Sequence, residues 1–394
     1  MSLQVWLDLL LRWTHVIAGI AWIGSSFYFV WLDHHLSKPA PPREGVVGEI
    51  WMVHSGGFYQ VERRRLAAGQ VPAVLHWFKW EALITWASGL MLLAVVYYFT
   101  RGVYLIDLQT SRLSVGGAIA VGLLAIFGSW WVYDTIWRSP LGRTSTFATG
   151  LSLVLLATVS FTLCKLLSGR AAFLHLGALM GAIMVNNVWQ RILPAQQQMI
   201  DATKAGHPAD EALGEQAKRR SMHNSYITFP VLFLMLSPHF PATSSGPWNW
   251  AVALLLTGAG MVARHVMIGQ GPRRLWAMAP AAAALVAVAL LTSPKVVHGP
   301  PIDASGPPVS FAQVRNIVTA RCVTCHSSNP AISIYGPKPG GVSFEDDARV
   351  RQLADRIRVR AVETRTMPLG NMTGITEQER AILGRWVAQG AKLE

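Results

Sequence analysis

The chain has 394 residues, 52% of them hydrophobic and only 14% charged, and carries a formal net charge of +13. An average soluble domain is about 25% charged, so this chain has too little polar surface to enclose several water-facing cores. The basic excess does not indicate nucleic acid: Lys and Arg lie between long apolar runs, where membrane topology puts them, and build no basic face.

Eight apolar segments follow one another: 5–32, 76–99, 115–137, 147–167, 171–193, 221–238, 248–269 and 275–292. A helix of about 20 apolar residues crosses the roughly 30 Å of bilayer hydrocarbon, so each predicts a span. The sixth is short, contains Pro230, and opens with His223 and Asn224. Tyr97, Tyr98, Trp137 and Trp248 stand at segment ends, where amphipathic rings settle at the headgroups. Loops 1, 3, 5 and 7 hold thirteen Lys and Arg, whereas loops 2, 4 and 6 hold only Arg101, Arg112 and Arg170. The odd loops are therefore expected in the cytoplasm and both termini outside. The first segment is too long for a signal-peptide core and lacks a basic leader, so it is expected to stay as a span. Loop 1 (33–75) contains Pro39, Pro41 and Pro42, then an amphipathic stretch ending Glu62-Arg63-Arg64-Arg65. Loop 5 (194–220) reads as a polar helix broken at Gly206-His207-Pro208. Cys164, inside an apolar segment, reads as a small buried hydrophobe.

Residues 293–308 contain five Pro and two Gly and predict an extended linker. Beyond it the composition changes: residues 309–394 carry 20 charged residues in 86, against 35 in the first 308. This tail holds Cys322-Val323-Thr324-Cys325-His326, the C-x-x-C-H haem c attachment signature. Two thiols one turn apart meet the two haem vinyl groups, and the adjacent His326 supplies an axial iron ligand. A zinc half-site is the competing use of such a pair, but the tail has no second Cys/His pair. Ser310, Ser343 and Thr376 read as helix starts, each followed by an apolar face. Three helices around one haem describe a small class I cytochrome c domain. A distal Met belongs in the loop before the last helix; Met367 is preferred and Met372 is the alternative. Haem c is attached outside the cytoplasmic membrane, in agreement with the side that the loop charges assign to the C-terminus.

Ionisable and amide residues inside spans default to function. The inner half is expected to hold His76, Lys79, Glu81, Asp134, Asn186, Asn187, Gln190, Arg191, His223, Asn224, Arg264 and His265, with His15 and His175 nearer the middle or outside. His76 and Lys79 share a face at i, i+3; Asn186 with Gln190, and Asn187 with Arg191, do so at i, i+4. Together they suit a binding cavity for a planar anionic heterocycle, although Lys79, Arg191 and Arg264 are each equally suited to snorkelling. His15 lies on a stripe with Gly19, Trp22 and Ser26 and is open to three uses: haem ligand, proton relay or packing.

Several strings resemble the membrane-bound, cytochrome-c-linked urate oxidases (urate hydroxylases): residues 15–29, 54–59, 75–82 and 139–142, the run Ser168–Gly181 continuing past Asn187, and His223-Asn224 onward to Met235. The resemblance covers essentially the whole chain. It implies oxidation of urate to 5-hydroxyisourate, with electrons passing to haem c and on to a respiratory acceptor such as a cytochrome oxidase or a soluble cytochrome. It also implies a multi-pass protein of the bacterial inner membrane with the haem c domain in the periplasm. Only Cys322, Cys325, His326 and Met367 transfer by motif.

The expected fold class is thus mainly α: an eight-span helical membrane bundle (1–292), a linker (293–308) and a cytochrome c domain (309–394). From residue types, Asn187, Gln190, Arg191 and His265 are the expected urate ligands, with Glu81 or His223 as base. Urate loses two electrons and one haem c accepts one, so a haem b or other metal on His15 and His175 is a further expectation. The competing class is an electron-transfer subunit carrying electrons from quinol to haem c; a transporter with a fused cytochrome is the third, and no broken inverted repeat supports it.

Overall fold

The computed structural model describes residues 3–67, 69–100, 102, 104–106, 111–269, 272–293, 306–331, 338–371 and 373–394. Linker residues 294–305, Met372 and Arg101 lie outside that set.

The first part is a helical bundle: α1 (Leu3–His35), α2 (Trp80–Leu93), α3 (Val115–Arg138), α4 (Ser145–Leu166), α5 (Gly169–Asn187), α6 (Leu193–Lys204), α7 (Glu211–Leu236), α8 (Asn249–Ile268) and α9 (Met278–Thr292). Several starts are set by one polar side chain that satisfies an orphan amide. Ser114 accepts from the Gly117 N–H at 3.1 Å, Ser168 from Ala171 at 3.2 Å, and Asp210 from Ala212 at 2.8 Å. Two π turns interrupt the regular winding. Ala94–Tyr98 ends α2, and Val188–Ile192 joins α5 to α6 without a break in the helix.

Seven helical stretches are long and apolar enough to cross a membrane by length and composition. The predicted sixth span, 221–238, is the exception. It lies within α7, which is helical through Pro230 but buries Arg220, Asn224, Ser225 and Thr228. This helix packs between α5 and α8 with its polar groups turned to protein, which is why composition alone undervalues it. The axis of the bundle is α5: 78% of its apolar window is buried, against 11–28% for the other six. On the outside, Ile20, Leu124, Trp131 and Leu290 are each about 70% exposed, an apolar surface that water does not favour.

Loop 1 departs from the expectation. It folds as an antiparallel hairpin, β1 (Val46–His54) with β2 (Gly57–Arg64), and Arg43 ties Glu49 and Glu62 together at its base. The two-residue turn Ser55-Gly56 has φ of 49° and 78°. A turn positive in φ at both positions matches the strand twist and favours Gly. Expected span 76–99 also starts late. Helix α2 begins at Trp80, so His76 and Lys79 precede it and share no helical face.

The tail has its own core, centred on Val314, Val318, Val350, Leu383 and Trp386. Helices α10 (Phe311–Val318) and α13 (Glu377–Ala388) pack together through Phe311 and Trp386, ring centroids 5.9 Å apart. Between them lie α11 (Asp347–Gln352) and α12 (Ala354–Ile357). Thr376 makes the full capping box with Glu379. Ser310 occupies the N-cap position of α10 without a side-chain bond, and Asp346, not Ser343, caps α11.

Two glycines receive imidazoles. His15 lies over Gly89 and His175 over Gly122, where an added Cβ would stand 2.6 Å from the His175 Nε2 and Cδ2 and 3.2 Å from the Tyr98 hydroxyl. Forcing a methyl group into such a contact costs about 1–3 kcal/mol. Gly122→Ala is therefore expected to lower the unfolding midpoint of the purified protein; an unchanged midpoint contradicts the packing.

Candidate functional site

One carboxylate organises the end of the bundle where α3, α5 and α7 meet. Asp134 on α3 has a side chain only 8% exposed. Arg191, on the π turn after α5, grips it with both arms: Nε donates at 2.8 Å and Nη2 bonds the second oxygen. Arg220 of α7 donates to the same carboxylate at 2.8 Å and has no solvent exposure. Its guanidinium also lies 4.9 Å from the Tyr133 ring centroid. Arg138 is more distant, at 3.9 Å, and exposed. The buried cluster thus sets two guanidiniums against one carboxylate, a surplus of one positive charge.

A directional hydrogen-bond chain borders this cluster. Asn224 donates to the Met184 carbonyl at 2.9 Å. Its own oxygen accepts from Asn187 at 2.8 Å, and the Asn187 amide also donates to the Tyr133 oxygen at 3.2 Å. The Tyr133 hydroxyl must then donate to His223 Nδ1, at 2.6 Å. His223 lies against Trp137, ring centroids 4.2 Å apart. Three buried polar atoms here have no partner: the Nε and Nη1 of Arg220 and the Oδ1 of Asn187. A buried unpaired polar group costs about 1–3 kcal/mol, and more when charged, so these two free donors and one free acceptor make this end of the bundle a candidate ligand site.

The expected ligands divide among several places. Asn187, Arg191 and His223 converge at Asp134. Arg191 is committed to the carboxylate, and Arg220, which the loop count put outside the spans, presents the free N–H groups instead. Gln190 donates to Asn186 at 2.5 Å and takes no part. His265 stacks on Tyr226 and bonds its hydroxyl at 2.8 Å, beside Arg264, whose guanidinium covers the Phe27 ring at 3.8 Å; this group lies on the α1–α7–α8 side. Glu81 lies across α5, with Ala82 packed on Val185 and Val188. Tyr133 and Arg220 are the participants that residue-type reasoning did not select, while Asp134 and Asn224 stood in the expected inner set but not among the expected ligands. Their available signal was an acidic residue within a span followed by basic residues in the helix that packs beside it.

His15 and His175 are held by different partners. His15 Nδ1 meets the Thr85 carbonyl at 2.8 Å, whereas both ring nitrogens of His175 are engaged, by the Ala171 carbonyl at 2.7 Å and Tyr98 at 2.9 Å. Their contacts, Gly89 on α2 and Tyr98 at the end of the π turn that follows it, are about 13 Å apart along the helix axis at ~1.5 Å per residue. Among the described residues no group of three or more His, Cys, Asp or Glu is placed to hold a metal ion.

The tail residues suit the haem that their motif implies. Cys322 and Cys325 are both free thiols. His326 Nδ1 lies 3.3 Å from the Val342 carbonyl, which leaves Nε2 for an iron. Burial holds this imidazole below its ordinary range, hence neutral, and pushes the Cys322 thiol up to about 12. Met367 lies in the loop before α13, its backbone held by the Arg360 carbonyl at 2.9 Å and by Arg380 at 3.0 Å, with 37% of its surface exposed.

Removing the central carboxylate leaves the buried Arg220 and the partly buried Arg191 uncompensated, a loss of about 3–5 kcal/mol for a broken buried pair. Asp134→Asn is expected to lower the unfolding midpoint sharply, and Asp134→Asn with Arg191→Met to recover part of the loss. Equal midpoints for Asp134→Asn and the parent chain contradict this account of the cluster.

Comparison with curated proteins and with solved structures found no match. The model of a family described as urate oxidase N-terminal matches residues 1–293. That stretch holds the whole helical bundle and the Asp134 cluster, and the chain belongs to the urate oxidase N-terminal family.

Proposed function

We propose that the chain is a bacterial inner-membrane urate oxidase that converts urate to 5-hydroxyisourate and passes the electrons to a haem c in its periplasmic tail. The carrying observation is the buried cluster with one positive charge in surplus, in which Arg220 has two free N–H groups and Asn187 a free oxygen. Urate at neutral pH is a flat monoanion with carbonyl acceptors and ring N–H donors. Arg220 donates to its anionic edge through a free N–H group in a charge-assisted bond, and Asn187 accepts a ring N–H. The bound anion neutralises the surplus, which uniform hydration would otherwise have to supply.

Oxidation of the bound monoanion with one water gives 5-hydroxyisourate, one proton and two electrons, which leave one at a time because the haem accepts one and passes it on before the next. As electrons leave, the Tyr133 oxygen takes a ring proton while its own proton moves to His223 Nδ1, along the hydrogen bond already in place. Asn187 and Asn224 hold Tyr133 in that orientation. In the tail, Cys322 and Cys325 would hold the haem, with His326 and Met367 as the ligands to its iron. When bound, that group supplies a one-electron acceptor whose Met ligation favours the reduced state. The respiratory acceptor is a cytochrome oxidase or a soluble cytochrome, and the bilayer is the solvent of the apolar helices.

The test is anaerobic. Urate added to purified, air-oxidised protein is expected to reduce the haem, read from its absorbance. Arg220→Gln is expected to slow this by about 100-fold, as loss of a charge-assisted bond of ~3 kcal/mol implies. If urate leaves the haem oxidised while a quinol reduces it, the chain is an electron-transfer protein from quinol to haem and the urate reading fails.

A further inference from the structure

A second group of unpaired polar atoms lies across α5 from the urate site. Ala82 of α2 and Val185 and Val188 of α5 form a small apolar centre, with Trp22 of α1, Trp86 of α2 and Trp189 packed round it. Trp189 is carried on the π turn Val188–Ile192, a distortion that recurs at functional sites. The indole nitrogens of Trp86 and Trp189 and the Oε2 of Glu81 are buried without a hydrogen-bond partner. Two N–H donors and one carboxyl oxygen in a nest of aromatic rings call for a flat guest with two acceptors.

The surroundings decide which flat guest. The nest contains no arginine, and its cation, Lys79, already lies 5.7 Å from the Trp189 ring centroid. Its flank is open sideways rather than into the bundle: Trp80 is 57% and Ile84 44% exposed. In the proposed topology those residues face hydrocarbon, so the guest arrives from the bilayer. An anionic purine does not partition there, whereas a neutral ring on a hydrocarbon tail does.

We propose that this nest binds the ring of a lipid-soluble quinone. The two indole N–H groups donate to its carbonyl oxygens, the ring lies against the tryptophan faces, and the Glu81 carboxyl stands where the hydroxyl of the quinol form donates. The proposal rests on the membrane placement given above and not on the urate chemistry.

The full-length protein in phosphatidylcholine nanodiscs is titrated with a benzoquinone bearing a decyl tail, and tryptophan fluorescence is followed. Empty nanodiscs carrying a tryptophan-labelled lipid report simple partition. Saturable quenching is expected in the parent chain. Trp189→Phe keeps the ring but removes the donor and is expected to weaken binding at least 10-fold; Glu81→Gln is expected to weaken it several-fold. The proposal is overturned if quenching in the parent chain is only linear, or if both variants bind like the parent. It is overturned too if urate displaces the quinone, which makes the nest a purine site. The first two results do not bear on Arg220 and leave the urate reading standing, whereas displacement by urate counts against the Arg220 site as well.

Discussion

Asp134 is the constraint on which the rest of the bundle depends. A guanidinium cannot be buried in an apolar bundle without an anion or a full set of acceptors, and this carboxylate holds two of them, one from the π turn after α5 and one from α7. Their pairing fixes how α3, α5 and α7 meet, and it leaves the pair short by one negative charge. That shortage is what makes the ion cluster the candidate anion site proposed above. Arg191 serves the scaffold, since both arms bind Asp134, while Arg220 gives one arm to the scaffold and keeps two N–H groups free.

The helices of the bundle were largely legible because apolar length is a strong signal. Segments 115–137 and 248–269 differ from α3 and α8 by about a residue at each end. Helix α7 was harder: its spacing is helical, but its polar residues turn inward, so hydropathy scores it as a weak span when it is an inner wall. The amphipathic stretch of loop 1 is the hairpin around Ser55-Gly56, whose turn needs positive φ at both positions, a requirement the reading as an amphipathic stretch did not resolve into strands. In the site, residue type pointed to Asn187, Arg191 and His223, which do converge. It could not tell Arg191 from Arg220, because which arginine is consumed by Asp134 depends on interhelical geometry that no spacing along one helix encodes. Glu81, Gln190 and His265 are not drawn into the Asp134 cluster for a related reason: residues at one depth point to different sides of the bundle.

The separation has a functional logic. A reaction that releases two electrons from a polar anion benefits from a closed, charged site among protein helices, and the α3–α5–α7 side provides it. A hydrophobic carrier that diffuses in the bilayer needs a site open to lipid, and the α1–α2–α5 side offers that. The tail adds a third environment, with its own core and its C-x-x-C-H motif on the far side of a linker. Both π turns in the bundle fall where these environments are shaped: Val188–Ile192 carries Trp189 toward one side and Arg191 toward the other, and Ala94–Tyr98 presents Tyr98 to His175.

The most direct test of the central claim is where the substrate sits. An electron cryo-microscopy map of the full-length protein in nanodiscs, prepared anaerobically with saturating urate and a reduced haem, will show it. The account predicts flat density bridging the free arm of Arg220 and the Asn187 amide oxygen, within hydrogen-bond reach of Tyr133. Density in the tryptophan nest beside Glu81, with Arg220 unliganded, contradicts it.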